Sequence, residues 1–432
     1  MKCINCGTDN NLRDRTGNNG RCKNCNHQFA FEPTSMTGRL KFTDLFFAKL
    51  LNDISVNKTL YFTNKQLLYL LDKRLKFKKI NLVGIGCIGV FFYVWATLFF
   101  GGLLAPVTGG ASIVVVPVVL FLAFMSWLFF QSRSNTVNYQ ARQIATKSFL
   151  LLSGLFLLVG VKISLNINSL PLFVIITLLG MSSIYYGTRQ LMGKKSVPQS
   201  FSISLEQIRD WLQRWQSING SVEKILSPTS NANPPVQINP EIMKYSFDRV
   251  VICQSTEITQ FLIANNFHFE NNCAVLSVDG YPANIFETIL QMLRQNPELQ
   301  VYALHNADPG GVTLVNHLKT SNNWFAGSTA TIYDMGLSPR QVSSNPKLFV
   351  QESNEVATAA KELPQEIRQI LLPEEIKWLE AGYFIELESF SPQHLLRIVT
   401  RSIILSRQEQ GLIVLEEEDR AYGSIYAVES FG

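Results

Sequence analysis

The chain has 432 residues, a formal net charge of +5, 47% hydrophobic residues and seven cysteines. That length leaves room for two or three domains, but the charge is unevenly placed. No Asp or Glu occurs between Asp72 and Glu206, an interval with twelve Lys and Arg, whereas the residues beyond Pro240 number 13 basic against 24 acidic, a net of −11. An acidic C-terminal region excludes the ordinary DNA-binding domain, which needs a basic surface. The basic middle instead fits contact with anionic lipid headgroups. Cys87, Cys253 and Cys273 lie scattered among apolar residues, so the cysteines form no disulfide framework. The opening Met1–Thr16 is polar and does not read as a secretory signal.

Residues 1–35 read Cys3-x2-Cys6, fifteen residues, then Cys22-x2-Cys25. Two thiolates two residues apart hold a tetrahedral Zn²⁺ from one side, and two such pairs complete its coordination. The intervening Gly7–Arg21 is rich in Gly, Asn and charge and is expected to be a loop. Apolar residues are too few for a core, so the metal supplies the folding energy. An iron–sulfur or redox role fits this pairing less well. His27 is expected at the surface, since four thiolates already fill the site. The segment resembles the small zinc ribbons at the ends of multidomain proteins, a resemblance that assigns no function.

Residues 37–80 form a helical segment. Thr43-Asp44 can cap a helix to Ile54, and Thr63 a second from Asn64 to Leu75, which ends in the basic cluster Lys73–Lys79. Residues 81–187 hold four apolar runs, at 82–104, 111–130, 149–165 and 170–187. About 20 helical residues cross a bilayer core, and four such runs in succession leave no polar face for water. Four transmembrane helices are therefore expected. Basic residues precede the first run, follow the second and follow the fourth, while the other two links carry none outside the apolar runs. That alternation puts both termini on the cytoplasmic side. No acidic residue lies within a run, so the block reads as an anchor in the lipid bilayer rather than an ion path.

Residues 188–240 begin with an amphipathic helix, Leu205 to Trp215, whose Trp211 and Trp215 share a face and suit either the membrane interface or a packed core. Ser227–Pro240 has four prolines and reads as a linker. In residues 241–345 strands and helices then alternate. Strands are predicted at Arg249–Cys253, Cys273–Val278, Val301–Leu304 and Thr329–Tyr333, with helices at Thr256–Asn265, Asn284–Arg294 and from Gly311. The succession implies an α/β domain with a Rossmann-like parallel sheet. Ligands of such sheets bind at the carboxyl ends of the strands, where Gln254, Asp279, His305, Asn306 and Asp308 stand. Residues 346–432 form a C-terminal α/β extension, with helices at Pro364–Leu372 and Pro392–Ser406, strands at Tyr383–Leu387 and Leu412–Leu415, and an acidic turn at Glu416–Asp419.

The run from Val301 to Gly311, with His305-Asn306-Ala-Asp308-Pro-Gly-Gly, resembles the third-strand signature of Toprim domains. In particular it is similar to the A subunit of type IIB topoisomerases and the related meiotic double-strand-break transesterase. Asp279-Gly280-Tyr281-Pro282 and Gly336-Leu337-Ser-Pro339 resemble that family's motifs after the second and fourth strands, in order, over roughly residues 249–342. The resemblance implies a Mg²⁺ site for phosphoryl transfer, built from a Glu at the first strand end and an Asp-x-Asp at the third. Mg²⁺ is a hard cation that needs anionic oxygen. Here Gln254 replaces the Glu and Asn306 the first Asp, leaving Asp308. A site rebuilt from Asp308, Asp279 and Glu257 is one alternative; a turn merely capped by Asp308 and Asn306 is the other. The family's nucleophilic tyrosine lies in a stretch that Thr63–Tyr69 resembles, with Lys65 for Arg and Leu68 for a first Tyr. With the apolar block starting so soon after, a packed helix face is expected for Tyr69.

These readings together describe a membrane-anchored cytosolic module with structural Zn²⁺ and a vestigial Toprim-like site, non-catalytic, binding a protein partner or a nucleotide-like ligand. The competing reading is a membrane-tethered, metal-dependent nuclease or phosphotransferase.

Overall fold

The computed structural model describes residues 1–34, 40–78, 112–133, 139–166, 168–192, 198–226, 249–295, 300–327, 330–344 and 348–405, with a few single positions besides. The run 82–104 apart from Phe99, the linker 227–240, and the strand and acidic turn expected beyond residue 410 lie outside them. The chain divides into two compact units. One comprises Met1–Asp72, Phe201–Val342 and Leu348–Gly432; the other comprises Lys73–Ser200 with Ser343–Lys347.

At the centre of the first unit is a four-stranded parallel sheet. Its strands are β1 (Arg249–Cys253), β2 (Cys273–Ser277), β3 (Gln300–Leu304) and β4 (Ile332–Asp334), in the order β2-β1-β3-β4. Val251 pairs with Val275 on one side and Tyr302 on the other. Residues 250–253 are wholly buried, as a short apolar run becomes when helices cover both faces of a parallel sheet. Helices Thr256–Ala264, Ala283–Gln295 and Pro309–Thr320 make the crossovers. The third starts at Pro309, two residues before the predicted start, because Asp308 caps it and proline suits the first helical position.

The helix predicted at Pro364–Leu372 is Gln365–Ile370, and a second, unpredicted helix, Pro373–Glu380, follows it. Pro373 opens the second, and Leu372 before it is extended. A two-stranded antiparallel ribbon, β5 (Gln351–Glu352) with β6 (Tyr383–Phe384), follows the sheet. The chain past β6 then runs beside the turn after β3. Ala307 N donates to Ile385 O at 3.0 Å and Ile385 N to Ala307 O at 3.1 Å.

The N-terminal segments pack within the same unit. Gly7–Arg21, predicted as loop, contains the helix Leu12–Gly17, capped reciprocally by Asn11 and Asp14. The buried carboxylate of Asp44 accepts from Ala30 N and Phe31 N at 2.9 and 2.7 Å. The rings of Phe31, Phe42 and Phe47 pack with Trp211 and Trp215 of helix Leu205–Asn219. The two tryptophans thus lie in an aromatic core. His27 is half-buried rather than at the open surface, with Nε2 3.1 Å from Asn219 Oδ1. Ser202 N donates to Asp72 Oδ1 at 2.7 Å, and Phe62 bridges Ile225. The chain leaves this unit after Asp72 and re-enters it at Phe201, so residues 73–200 form an insertion.

In the insertion, three long helices are described: Ser112–Arg133, Tyr139–Asn166 and Leu170–Met192. The second begins ten residues before the apolar run at 149, because the stretch ahead of that run includes good helix formers such as Gln143, Ala145 and Lys147. Among the described residues, one helix is long and apolar enough to cross a membrane, Gln143–Asn166, with mean hydropathy 2.1. The expected block of four spans is not shown.

Candidate functional site

The carboxyl ends of β1 and β3 bring Gln254, Asn306 and Asp308 together. The Gln254 side chain spans the gap. Its Nε2 donates to Asp308 Oδ1 at 2.9 Å and to Oδ2 at 3.3 Å, and its Oε1 accepts from Asn306 N at 2.8 Å. Asp308 Oδ1 also accepts from Gly311 N at 2.6 Å, which caps the helix. Asn306 Oδ1 accepts from Leu387 N at 2.8 Å. The polar groups that these bonds involve are turned toward protein rather than toward a shared cation.

The proposed substitutes do not complete a metal site. Asp279 and Glu257 are exposed, and Asp279 Oδ2 takes a 3.4 Å bond from the Thr256 hydroxyl. Among the described residues, Asp308, Asp279 and Glu257 do not gather as a ligand set; the one such cluster is the four cysteines. A hard divalent cation is held by carboxylate, carbonyl or water oxygens aimed at one point. Here a single carboxylate is available, and an amide N–H₂ group faces it. The residues present do not fit Mg²⁺.

His305, at the end of β3, is buried. Its Nδ1 lies 2.7 Å from the Asn306 carbonyl and its Nε2 3.0 Å from Asp334 Oδ1. Both neighbours are acceptors, so the ring satisfies them best with both nitrogens protonated. Burial works against that charge, but the Asp334 carboxylate and the Asn306 carbonyl outweigh it and raise the His305 pKa above its usual 6.5. For Asp334, burial pushes the other way, yet His305 brings its carboxyl below the usual 3.8. Two motif glycines make room: a Cβ on Gly336 would lie 2.2 Å from the His305 ring, and one on Gly311 would lie 2.1 Å from the Asn306 carbonyl oxygen.

A second polar cluster adjoins Asn306 and was not anticipated. Lys65 Nζ donates to Glu386 Oε1 at 2.6 Å and lies 4.0 Å from Glu388 Oε1. The Tyr69 hydroxyl donates to Glu386 Oε2 at 2.9 Å and accepts from Gln351 Nε2 at 2.6 Å. Tyr69 is 5% exposed, and burial followed by Glu386 holds its proton well above the usual value. It therefore occupies a packed helix face. The predicted strand Tyr383–Leu387 holds Glu386 and stops one residue short of Glu388, where the chain forms the short 3-10 helix Leu387–Ser389; two carboxylates two apart were the available signal.

At the N-terminus, the four cysteine sulfurs lie within 4.8 Å of one another, with Cys3 to Cys25 and Cys6 to Cys22 each at 3.6 Å. Asn10 Nδ2 donates to Cys22 Sγ at 3.4 Å, a contact that orients a thiolate ligand. Burial pushes the Cys3 thiol up to about 12, while the Thr8 hydroxyl and amide bring Cys6 down to about 6. Four sulfurs this close suit a soft tetrahedral cation, and zinc fits them.

Against this geometry, the family model for the Toprim domain shared by Spo11 and the A subunit of topoisomerase 6 matches residues 249–399. The match covers the whole parallel sheet and continues through β5, β6 and into helix Pro392–Leu405, past the expected boundary at residue 345. No curated protein matches the chain.

Proposed function

We propose that residues 249–399 are a Toprim domain that binds rather than cleaves, held at the inner face of a membrane by the inserted apolar helices. The observation that carries this reading is the Gln254 amide bonded to both oxygens of Asp308. In a cleaving Toprim domain this is where two carboxylates share a cation. The ligand is a protein surface or a nucleotide-like molecule presented at the strand ends. The excess of acidic residues beyond Pro240 disfavours duplex DNA. The anchor reading is supported by apolar side chains left open in the inserted unit: Leu158, Leu165, Leu170 and Leu178 are each more than 60% exposed. Apolar surface on that scale needs a hydrocarbon environment or a partner.

Two assays on the full-length protein test the reading. Incubation with supercoiled and single-stranded DNA in Mg²⁺ or Mn²⁺ is expected to give no cleavage. Cleavage that Asp308→Ala abolishes would establish the nuclease reading instead. Carbonate-washed membranes are expected to retain the protein, with both termini protected from external protease. Release into the soluble fraction would remove the anchor.

A further inference from the structure

Helix Asn64–Lys78 lies against the Toprim domain through polar groups that an ordinary packed face does not need. Lys65 and Tyr69, one turn apart, both reach Glu386. Glu386 belongs to the strap Tyr383–Ser389, which is bonded to Ala307 and through Leu387 N to Asn306. The strap thus forms one wall of the strand ends that carry Gln254 and Asp308. We propose that Lys65, Tyr69 and Glu386 form a releasable latch that closes the Asn306 edge of the Toprim sheet, with Glu388 as its trigger.

Glu388 supplies the reason to regard the contact as a latch rather than cement. Its side chain is 4% exposed, and its Oε2 has no hydrogen-bond partner among the described residues. A buried carboxylate left this way disfavours the closed arrangement whenever it is ionised. The groups that face it are Lys65 and Tyr69 from helix Asn64–Lys78, Glu386 from the strap and Glu257 from helix Thr256–Ala264. Among the described residues, three carboxylates therefore share one ammonium. Burial raises the Glu388 carboxyl to about 7, with Glu386 and Glu257 adding to the shift and Lys65 opposing it. In an open arrangement the same carboxyl meets water and returns toward its usual 4.5. The closed form therefore holds a proton that the open form releases, and raising the pH through neutrality favours opening. The helix that carries Lys65 continues past Asp72 into the inserted unit. The latch holds whether or not the domain retains chemistry, since the bonds that form it do not include Asp308.

Hydrogen exchange on the full-length protein tests this, with β1 and β3 amides as internal reference. After correction for intrinsic rates, protection of residues 64–72 and 385–389 is expected to fall about tenfold from about pH 6 to about pH 8, the proton-linkage value for a carboxyl held near 7 when closed. Glu388→Gln is expected to abolish that pH dependence. Lys65→Met is expected to lower protection in both segments while β1 and β3 are unchanged, and the exchanged pair Lys65→Glu with Glu386→Lys is expected to restore it in part, since a lysine at 386 cannot accept from the Tyr69 hydroxyl. Equal pH dependence in wild type and Glu388→Gln would overturn the trigger. Unchanged protection in Lys65→Met would overturn the latch. Should Lys65→Met also expose β1 and β3, the comparison of wild type with Glu388→Gln decides.

Discussion

Gln254 holds Asp308 by donating one amide nitrogen to both carboxylate oxygens, at 2.9 and 3.3 Å. It satisfies Asp308 without metal, and its carbonyl accepts from Asn306 N, which ties the ends of β1 and β3 to each other.

Gln254→Glu removes these donors and sets one carboxylate against another. At neutral pH the variant is expected to lose about 1–3 kcal/mol, the cost of leaving a buried polar group unpaired. Mg²⁺ or Mn²⁺ is expected to restore much of the loss, because paired carboxylates bind a hard cation. Thermal unfolding with and without the metal reads both effects, and the wild-type midpoint is expected to be insensitive. A metal-sensitive wild type would contradict the poor fit of this site to Mg²⁺.

Asp308 is also a helix cap, so its loss has a structural cost apart from any chemistry. Asp308→Ala is expected to destabilise by about 0.5–2 kcal/mol through the cap alone. Asp308→Asn keeps an acceptor for Gly311 N and is expected to lose less. Denaturant midpoints for the two variants make the comparison.

The His305–Asp334 pair predicts a pH window. The folded pKa of His305 is raised above 6.5, so its contribution is fully present below 6.5 and is lost as pH rises through the folded value. The folded pKa of Asp334 is lowered below 3.8, so its contribution is present above 3.8 and is lost as pH falls through the folded value. The stability difference between wild type and Asp334→Asn is therefore expected to be largest between those limits and to shrink on either side. Melting curves across pH would show it; a difference that grows with alkalinity would refute the pairing.

Gly336→Ala puts a methyl group 2.2 Å from the buried His305 ring. Overpacking of this kind costs about 1–3 kcal/mol. The same displacement is expected to weaken the pH dependence just described, which separates it from a general loss of stability.

Removal of zinc is expected to reach beyond the ribbon. Ala30 and Phe31 closely follow the second cysteine pair and seat on Asp44, Phe42, Phe47 and Trp215. Metal analysis is expected to find one equivalent of zinc, and chelation to change tryptophan fluorescence. Cys22→Ser is expected to reproduce the chelated state. An unchanged fluorescence signal would mean that the ribbon folds apart from the aromatic core.

Much of this protein is written in local pattern. Two Cys-x2-Cys pairs suffice for a four-sulfur site, because tetrahedral coordination tolerates few spacings. Alternating short apolar runs and helices suffice for a parallel sheet, and three short motifs, in order, sufficed for the Toprim resemblance that the family match supports over 249–399. That Gln254 and Asn306 are amides where the resembled motif has carboxylates was likewise plain. Other features depend on residues distant in the chain, which no local pattern can bring together. Trp215 meets Phe31 only because the chain returns to the first unit after an insertion of more than a hundred residues. Lys65 meets Glu386 across 321 positions. Gln254 shows from its identity only that the side chain is uncharged. That its amide grips Asp308 follows from the adjacency of β1 and β3, since hydrogen bonds between strand ends are decided by sheet order and register. Residue types thus determined which groups stand at the strand ends, and tertiary structure decided how they are joined.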